Sequence, residues 1–363
     1  MNRPIEMPHR GVPNNLEALS PRFFANIFGV DVTALTVAVI GQDTGVLGAL
    51  ARVHLDYGLG DAGPASVVVK MPTESEENRE VGMAYRFYER EGHFYSDVGI
   101  ECGLSVPHCY FSYSDNERET FVLVLEDLGG LTQRSQSDGL SSDEAALAVE
   151  ELAKMHGRWW NDEHLDRFRW LPRVDGPGER DLSLEIYNDG WQRFIGRFGD
   201  SLTEDAIMAG ALIHRAFSQV IDHLGTPPLT LVHGDFRIDN LFVDVANLTR
   251  PLVVLDWQTA CQCRGVFDVA YLLGGSLQID KRRRLERELL ERYHDALCRA
   301  GVTGYSLDDC VADYRWSLMY ATLYPIDAGS FDLPSEAARE MVDQWARRFF
   351  TAVVDLDCTT LLD

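Results

Sequence analysis

The chain has 363 residues, 45% of them apolar and 25% charged, the balance of an ordinary globular protein and enough length for two or three compact units. Its 33 basic and 57 acidic residues leave a net charge of −24, which argues against nucleic acid or an anionic membrane as a partner, since phosphate-rich surfaces repel such a chain. No run approaches the ~18–20 apolar residues of a membrane span, the N-terminal segment has no apolar signal core, and seven cysteines in an odd set without framework spacing point to a reducing cytoplasm rather than to disulfides or a zinc centre.

In chain order, the first dozen residues read as an irregular arm with prolines at 4, 8 and 13. Ser20-Pro21 then reads as an N-cap followed by proline at the first helical position. Phe23, Phe24 and Ile27 give that helix its apolar face, and Gly29 ends it. Leu35 to Ile40 is a β-branched apolar run. Ala49, Ala51, Val53, Leu55 and Tyr57 alternate with Arg52, His54 and Asp56 as a half-buried strand does. A turn over Gly58 to Pro64 leads to a third strand, Val67-Val68-Val69, which ends in Lys70. Residues from about 77 to 97 read as helical, and Phe121 to Leu125 as a further buried strand. Beyond Gly129-Gly130 the pattern turns helical. Ser141 and Glu144 fit a capping box, followed by Val149, Leu152, Met155 and Trp159 at helical spacing. Two short strands, Leu229–Val232 and Leu252–Leu255, interrupt this helical region, and Asp280 reads as the cap of a later helix.

The two short strands deliver the chemistry. Leu231-Val-His-Gly-Asp-Phe-Arg-Ile-Asp-Asn240 places Asp235 and Asn240 five residues apart just after one strand, and Pro251-Leu-Val-Val-Leu255 delivers Asp256-Trp-Gln258 from the other. Three oxygen-bearing side chains at two strand ends suit a hard cation such as magnesium. Phosphoryl transfer asks a protein for little else: a metal on the phosphates, a carboxylate for the hydroxyl proton, and positioning.

The pattern His-Gly-Asp-x-x-x-x-Asn, an apolar strand, then Asp-Trp-Gln resembles the aminoglycoside phosphotransferase and choline kinase superfamily, in its ecdysteroid-kinase-like branch. The resemblance runs from about residue 16 to the C-terminus and is strongest from 229 to 276. Ser66-Val-Val-Val-Lys-Met-Pro72 resembles the family's phosphate-binding strand, Arg90-Glu91-Gly-His-Phe-Tyr95 its carboxylate-bearing helix, and Leu123-Val-Leu-Glu-Asp-Leu128 its adenine hinge. Leu152-Ala-Lys-Met-His-Gly-Arg-Trp159 resembles the helix after that hinge.

The resemblance implies an α+β, two-lobed protein-kinase-like fold. An arm and helix would occupy 1–30, a small antiparallel sheet with one helix 31–127, and a mainly helical lobe 128–363. It implies an ATP- and magnesium-dependent kinase acting on a hydroxyl of a small molecule. Asp235 matches the catalytic base, Asn240 and Asp256 the magnesium ligands, and Lys70 the lysine on the α- and β-phosphates. Glu91 is the preferred partner of that lysine over Glu80 and Glu89. Backbone groups of Glu126 and Leu128 match the adenine contacts.

The glycine loop, Gly41-Gln-Asp-Thr44-Gly45-Val-Leu-Gly48, departs from the protein-kinase pattern. Its backbone N–H groups and the Thr44 hydroxyl suit phosphate, and a plain hairpin turn is the other reading. Arg237 is open to two readings, a partner of phosphate or of Asp235 and Asp239. Asp313, Tyr314, Arg315 and Trp316 read either as acceptor contacts or as one face of a packed helix. Asp268 resembles a family aspartate that opens a helix and braces the catalytic loop, and it reads as structural. Asp-Trp-Gln in place of Asp-Phe-Gly, with no Ala-Pro-Glu element after it, favours a small acceptor over a protein. The competing functions are a catalytically inactive nucleotide-binding protein of the same fold and a metal-dependent hydrolase, which would give Lys70 and the hinge no task.

Overall fold

The computed structural model describes residues 11–40, 48–131, 139–330, 333 and 335–362, the side chain at 77 excepted. Contacts divide the chain into two compact units, residues 1–132 with 253–259, and residues 133–252 with 260–363.

The first unit begins with helix α1 (Pro21–Phe28). The Ser20 side chain accepts from the Phe23 N–H, proline sits at the start, and Gly29 closes the helix at φ +70. Strands β1 (Val32–Ile40), β2 (Gly48–Tyr57) and β3 (Ser66–Pro72) follow, then helices α2 (Glu76–Ala84) and α3 (Phe87–His93), then β4 (Cys109–Asp115) and β5 (Thr120–Glu126). The strands form one antiparallel sheet in the order β1-β2-β3-β5-β4. The period-2 geometry of a strand sorts its side chains by face. Val67, Val69 and Met71 of β3, with Val122 and Val124 of β5, join Phe23, Phe24 and Ile27 of α1 in one core. Lys70 lies between Val69 and Met71 in the sequence and therefore faces the other side, where Phe121 of β5 meets Tyr88 of α3 at 5.2 Å between ring centroids.

One expectation is revised here, and one strand went unread. The helical segment at 77–97 is not one helix. It breaks after α2, where Tyr85 leaves the helix and Arg86 takes φ +58, and it resumes as α3 and then a π-helical turn, Phe94–Val98. The edge strand β4 carries no continuous apolar run, only Cys109, Phe111 and Tyr113 alternating with Tyr110, Ser112 and Ser114, so its sequence signal is weak.

The second unit is mainly helical. Helix α4 (Ser142–Arg158) has the full reciprocal cap between Ser141 and Glu144. Helices α5 (Pro177–Phe198) and α6 (Glu204–Leu224) follow, then strands β6 (Thr230–Val232), β7 (Leu241–Val243), β8 (Leu252–Val254, from whose second residue the chain counts with the first unit) and β9 (Cys261–Cys263). β6 and β9 pair antiparallel. Helices α7 (Val266–Ser276), α8 (Ile279–Arg299), α9 (Leu307–Ala321), α10 (Leu323–Ser330) and α11 (Glu336–Asp355) complete it. All eleven residues of α7 are buried, as expected of a helix apolar on every side. Asp280 is not the cap of α8: Gln278 holds that place, and Asp280 sits in the first turn, where a carboxylate favours the helix dipole. Among the described residues no helix is long and apolar enough to cross a membrane, and none of the seven cysteines forms a disulfide there.

Candidate active site

In the first unit, the charged residues meet around Lys70. Its side chain is 9% exposed, and its Nζ lies 2.8 Å from Glu91 Oε2 and donates to Asp256 Oδ1 at 2.9 Å. The Glu91 contact is a buried ion pair. Glu91 is buried on α3 and also accepts the backbone N–H of Trp257. Burial alone would lower the Lys70 pKa, but the Asp256 and Glu91 carboxylates outweigh it and hold the ammonium charged well above its ordinary range. Burial pushes Glu91 upward, Lys70 opposes it, and Asp256 adds to the rise. Asp256 holds φ +63, a left-handed backbone that non-glycine residues adopt at a cost, and 28% of its side chain remains exposed.

The neighbouring carboxylates are otherwise engaged. Glu89 pairs with Arg86 at 2.5 Å and accepts from Asn116 at 2.7 Å, and Glu80 is exposed on α2. Gly48 clears the lysine: a Cβ there would come within 3.1 Å of Lys70 Cε. At the end of β5, the Glu126 N–H donates to His108 O at 2.8 Å, its side chain accepts from the His108 N–H at 3.0 Å, and Leu128 O accepts from Leu131 N–H at 2.8 Å. Between Glu126 and Leu128, Asp127 is clamped by Arg52, Ser66 and the Gly129 N–H. Gly41, Thr44 and Gly45 lie outside the described residues.

In the second unit, the loop after β6 turns at Gly234, whose φ of +87 suits glycine. Two backbone N–H groups of that turn, from His233 and Gly234, donate to Asp268 at 2.8 and 3.0 Å. Asp268 stands in the first turn of α7, fully buried, and also meets His156 Nε2 at 3.2 Å. Tyr324 of α10 donates to Gly234 O at 2.6 Å. So held, the loop presents Asp235. Its Oδ2 accepts from Asn240 Nδ2 at 3.0 Å and from Arg237 Nε at 3.3 Å, and Asn240 also donates to the Asp235 carbonyl. Asp235 Oδ1 is buried and takes neither of these donors. The buried phenol of Tyr271 lies by this carboxylate; burial first, and the Asp235 charge second, keep it protonated.

Arg237 takes the second of its two readings: it pairs with Asp239 at 2.9 Å and Asp235 at 3.3 Å, with its guanidinium over the Trp345 ring. The residues around 313 take the packed-helix reading. Asp313 is buried and bonds Arg264, His223 and Tyr305, Tyr314 bonds Glu286, Arg315 bonds Asp357 O and Thr360, and Trp316 stacks on His223. Tyr271 and Tyr324 escaped sequence reasoning. They sit on ordinary apolar helix faces, and only their contacts with the loop mark them.

The profile of the ecdysteroid kinase-like family matches residues 45–301 of this chain. A curated nematode protein, the uncharacterized oxidoreductase dhs-27 of Caenorhabditis elegans, is 24% identical over 243 residues, 63% of this chain. The chain spans 29% of that relative's length. Among solved structures, an ethanolamine kinase of Plasmodium vivax aligns with a TM-score of 0.51 at 12% identity, over 88% of this chain and 82% of that one. The GDP and kanamycin complex of an aminoglycoside phosphotransferase aligns with a TM-score of 0.52 at 14% identity, over 92% and 96%. At such identities the likeness is one of fold, and the fold is the two-lobed α+β kinase-like class.

Proposed function

This chain belongs to the ecdysteroid kinase-like family, and from that premise we propose that it transfers a phosphoryl group from ATP, with magnesium, to a hydroxyl of a small molecule. Family and fold support the coarser part, a small-molecule phosphotransferase of the kinase-like superfamily. The observation that carries the finer part is the state of Asp235. Its Oδ2 is fixed by Asn240 and Arg237, neither of which takes Oδ1, and the Tyr271 phenol lies beside the carboxylate. An incoming hydroxyl would donate to the oxygen that Asn240 and Arg237 leave open. Asp235 would then orient that hydroxyl and receive its proton.

Lys70 would contact the α- and β-phosphates, with Glu91 holding its ammonium in place, and backbone groups of Glu126 and Leu128 would hold adenine. Gly41, Thr44 and Gly45 would line the phosphates. Asn240 and Asp256 would hold magnesium, which when bound offsets phosphate charge. An amide oxygen and a carboxylate are the hard donors that ion takes. Among the described residues no three acidic, histidine or cysteine side chains form a metal cluster, and magnesium needs only one or two protein ligands when phosphates and water supply the rest.

The test is calorimetric ATP binding followed by an ATP-consumption screen over hydroxylated small molecules, with Asp235→Asn as control. Turnover that needs an added alcohol and collapses in the variant supports the reading. ATP binding without turnover on any acceptor would favour an inactive nucleotide-binding protein, and the absence of ATP binding would overturn the reading outright.

A further inference from the structure

The sheet of the first unit has two edges, β1 and β4. An edge strand presents a row of unpaired N–H and C=O groups, and proteins usually blunt it with charge, proline, a bulge, short length or a cover. β4 has seven residues and ends at the Asp115–Arg118 ion pair. β1 lacks most of these devices. It runs for nine residues, Val32 to Ile40, with no Asp, Glu, Lys, Arg or Pro, in a chain that is 25% charged. Its ladder with β2 is irregular only at the start, between Val32 and Ala34. Thr33, Ala34, Thr36, Ala38 and Val39 are exposed. Among the described residues, 33–40 make no backbone hydrogen bond outside the ladder with β2.

The strand is also close to a palindrome about Thr36. Laid antiparallel on itself there, it sets Thr36 on Thr36, Ala34 on Ala38, Leu35 on Val37 and Thr33 on Val39. Alternation sorts these pairs by face. Leu35 and Val37 pack against the core shared with α1, so their pairing extends that core across the join. Ala34, Thr36 and Ala38 lie on the other face, where small side chains permit close approach. There β2 adds charge complementarity. Ala34 stands beside Asp56 and Ala38 beside Arg52, so a two-fold axis at Thr36 lines up Asp56 of each copy with Arg52 of the other. That arginine is 34% exposed although it also pairs with Asp127. Elsewhere a net charge of −24 makes two copies repel, and an uncharged strand is where that repulsion is least. We propose that β1 is a self-association edge whose partner is a second copy of this chain. The two strands pair antiparallel about Thr36 and join two five-stranded sheets into one. Main-chain hydrogen bonds supply the attraction, and the contact is isologous and closed.

The test is sedimentation of the full chain over roughly 1–100 µM in about 150 mM salt, the range in which a small interface associates. The native mass should rise from 40.8 kDa toward twice that value. Thr36→Lys and Thr36→Glu each set like charges across the axis and should stay monomeric alone. Their melting temperatures should stay near native, because Thr36 is exposed. Mixed in equal amounts, the two variants set opposite charges across the axis and should recover the dimer. The double variants Ala34→Lys with Ala38→Lys, and Ala34→Glu with Ala38→Glu, repeat the exchange on either side of the axis and decide the matter if a Thr36 variant does not fold. A native chain that stays monomeric at every concentration overturns the proposal, as it would if another segment of the chain covered the edge. A dimer that both single variants keep also overturns it, since the contact then lies elsewhere. So does a mixture that remains monomeric. None of these readouts involves nucleotide, so the phosphotransferase reading stands or falls separately.

Discussion

On the proposed reading Asp235 and Lys70 carry different charges into different tasks, so their variants should fail differently. Asparagine at 235 keeps the size of the side chain but cannot take a proton. A general base contributes ~10²–10⁴-fold in rate, so Asp235→Asn should lower kcat by about that factor while the ATP dissociation constant changes little. Single-turnover rates on bound nucleotide check it. Lys70→Ala should weaken ATP binding itself. It also strands Glu91, whose side chain is 2% exposed, and removing one partner of a buried pair costs about 3–5 kcal/mol. The sign of its pH dependence follows. Burial already raises the Glu91 pKa, and without Lys70 the opposing effect is gone. The folded variant then keeps a proton that the unfolded chain releases, so its stability is full at low pH and falls as pH rises through the folded-state pKa. Melting temperatures of Lys70→Ala between pH 5 and 8 should therefore decline relative to the native chain. Gly48→Ala is the milder probe. Its Cβ would press Lys70 Cε at 3.1 Å while two carboxylates pin the lysine, so ATP binding should weaken without a large loss of stability.

At the scale of elements, the geometry of the loop after β6 depends on how α7 starts. Asp268 accepts two loop N–H groups from a wholly buried position, with His156 beside it and Tyr293 bonded to His156 at 2.8 Å. Asp268→Ala leaves those donors unsatisfied, and each buried orphan costs about 1–3 kcal/mol. The expected loss is roughly 2–5 kcal/mol in chemical unfolding. A variant as stable as the native chain would show that the loop is held by other contacts. The break between α2 and α3 matters in the same way. Arg86 leaves the helical region there, so α3 does not continue the phase of α2, and this sets which carboxylates of the segment face the sheet.

For the whole molecule, the charge of −24 sets two expectations. Self-repulsion among exposed carboxylates opposes the compact state, and salt screens it over about 8–10 Å near physiological ionic strength. Raising sodium chloride from about 20 to 300 mM should therefore raise the melting temperature. The same charge should keep the protein off anionic vesicles and DNA at physiological salt. Cosedimentation with phosphatidylserine vesicles is the check, and firm binding would point to a local basic surface that the net charge conceals.

Much of the local structure was legible because its causes are local. Ser20-Pro21 and Gly29 bound α1, Ser141 and Glu144 cap α4, and alternation identifies β2. The spacing that brings Asn240 back onto Asp235 spans five residues, within one turn of chain. What the sequence left open was decided by contacts between distant segments. Glu80, Glu89 and Glu91 share one helical reading, but only the break at Arg86 and the capture of Glu89 by Arg86 and Asn116 leave Glu91 on Lys70. Asp313 could have faced an acceptor until Arg264 and His223 took it. Phe94 and Trp257, 163 positions apart by their numbers, form one stack that no periodicity encodes. Propensity, capping and alternation act over a few residues. The partner of a buried charge or ring is chosen by which surfaces the folded chain brings together, and only the tertiary structure makes that choice.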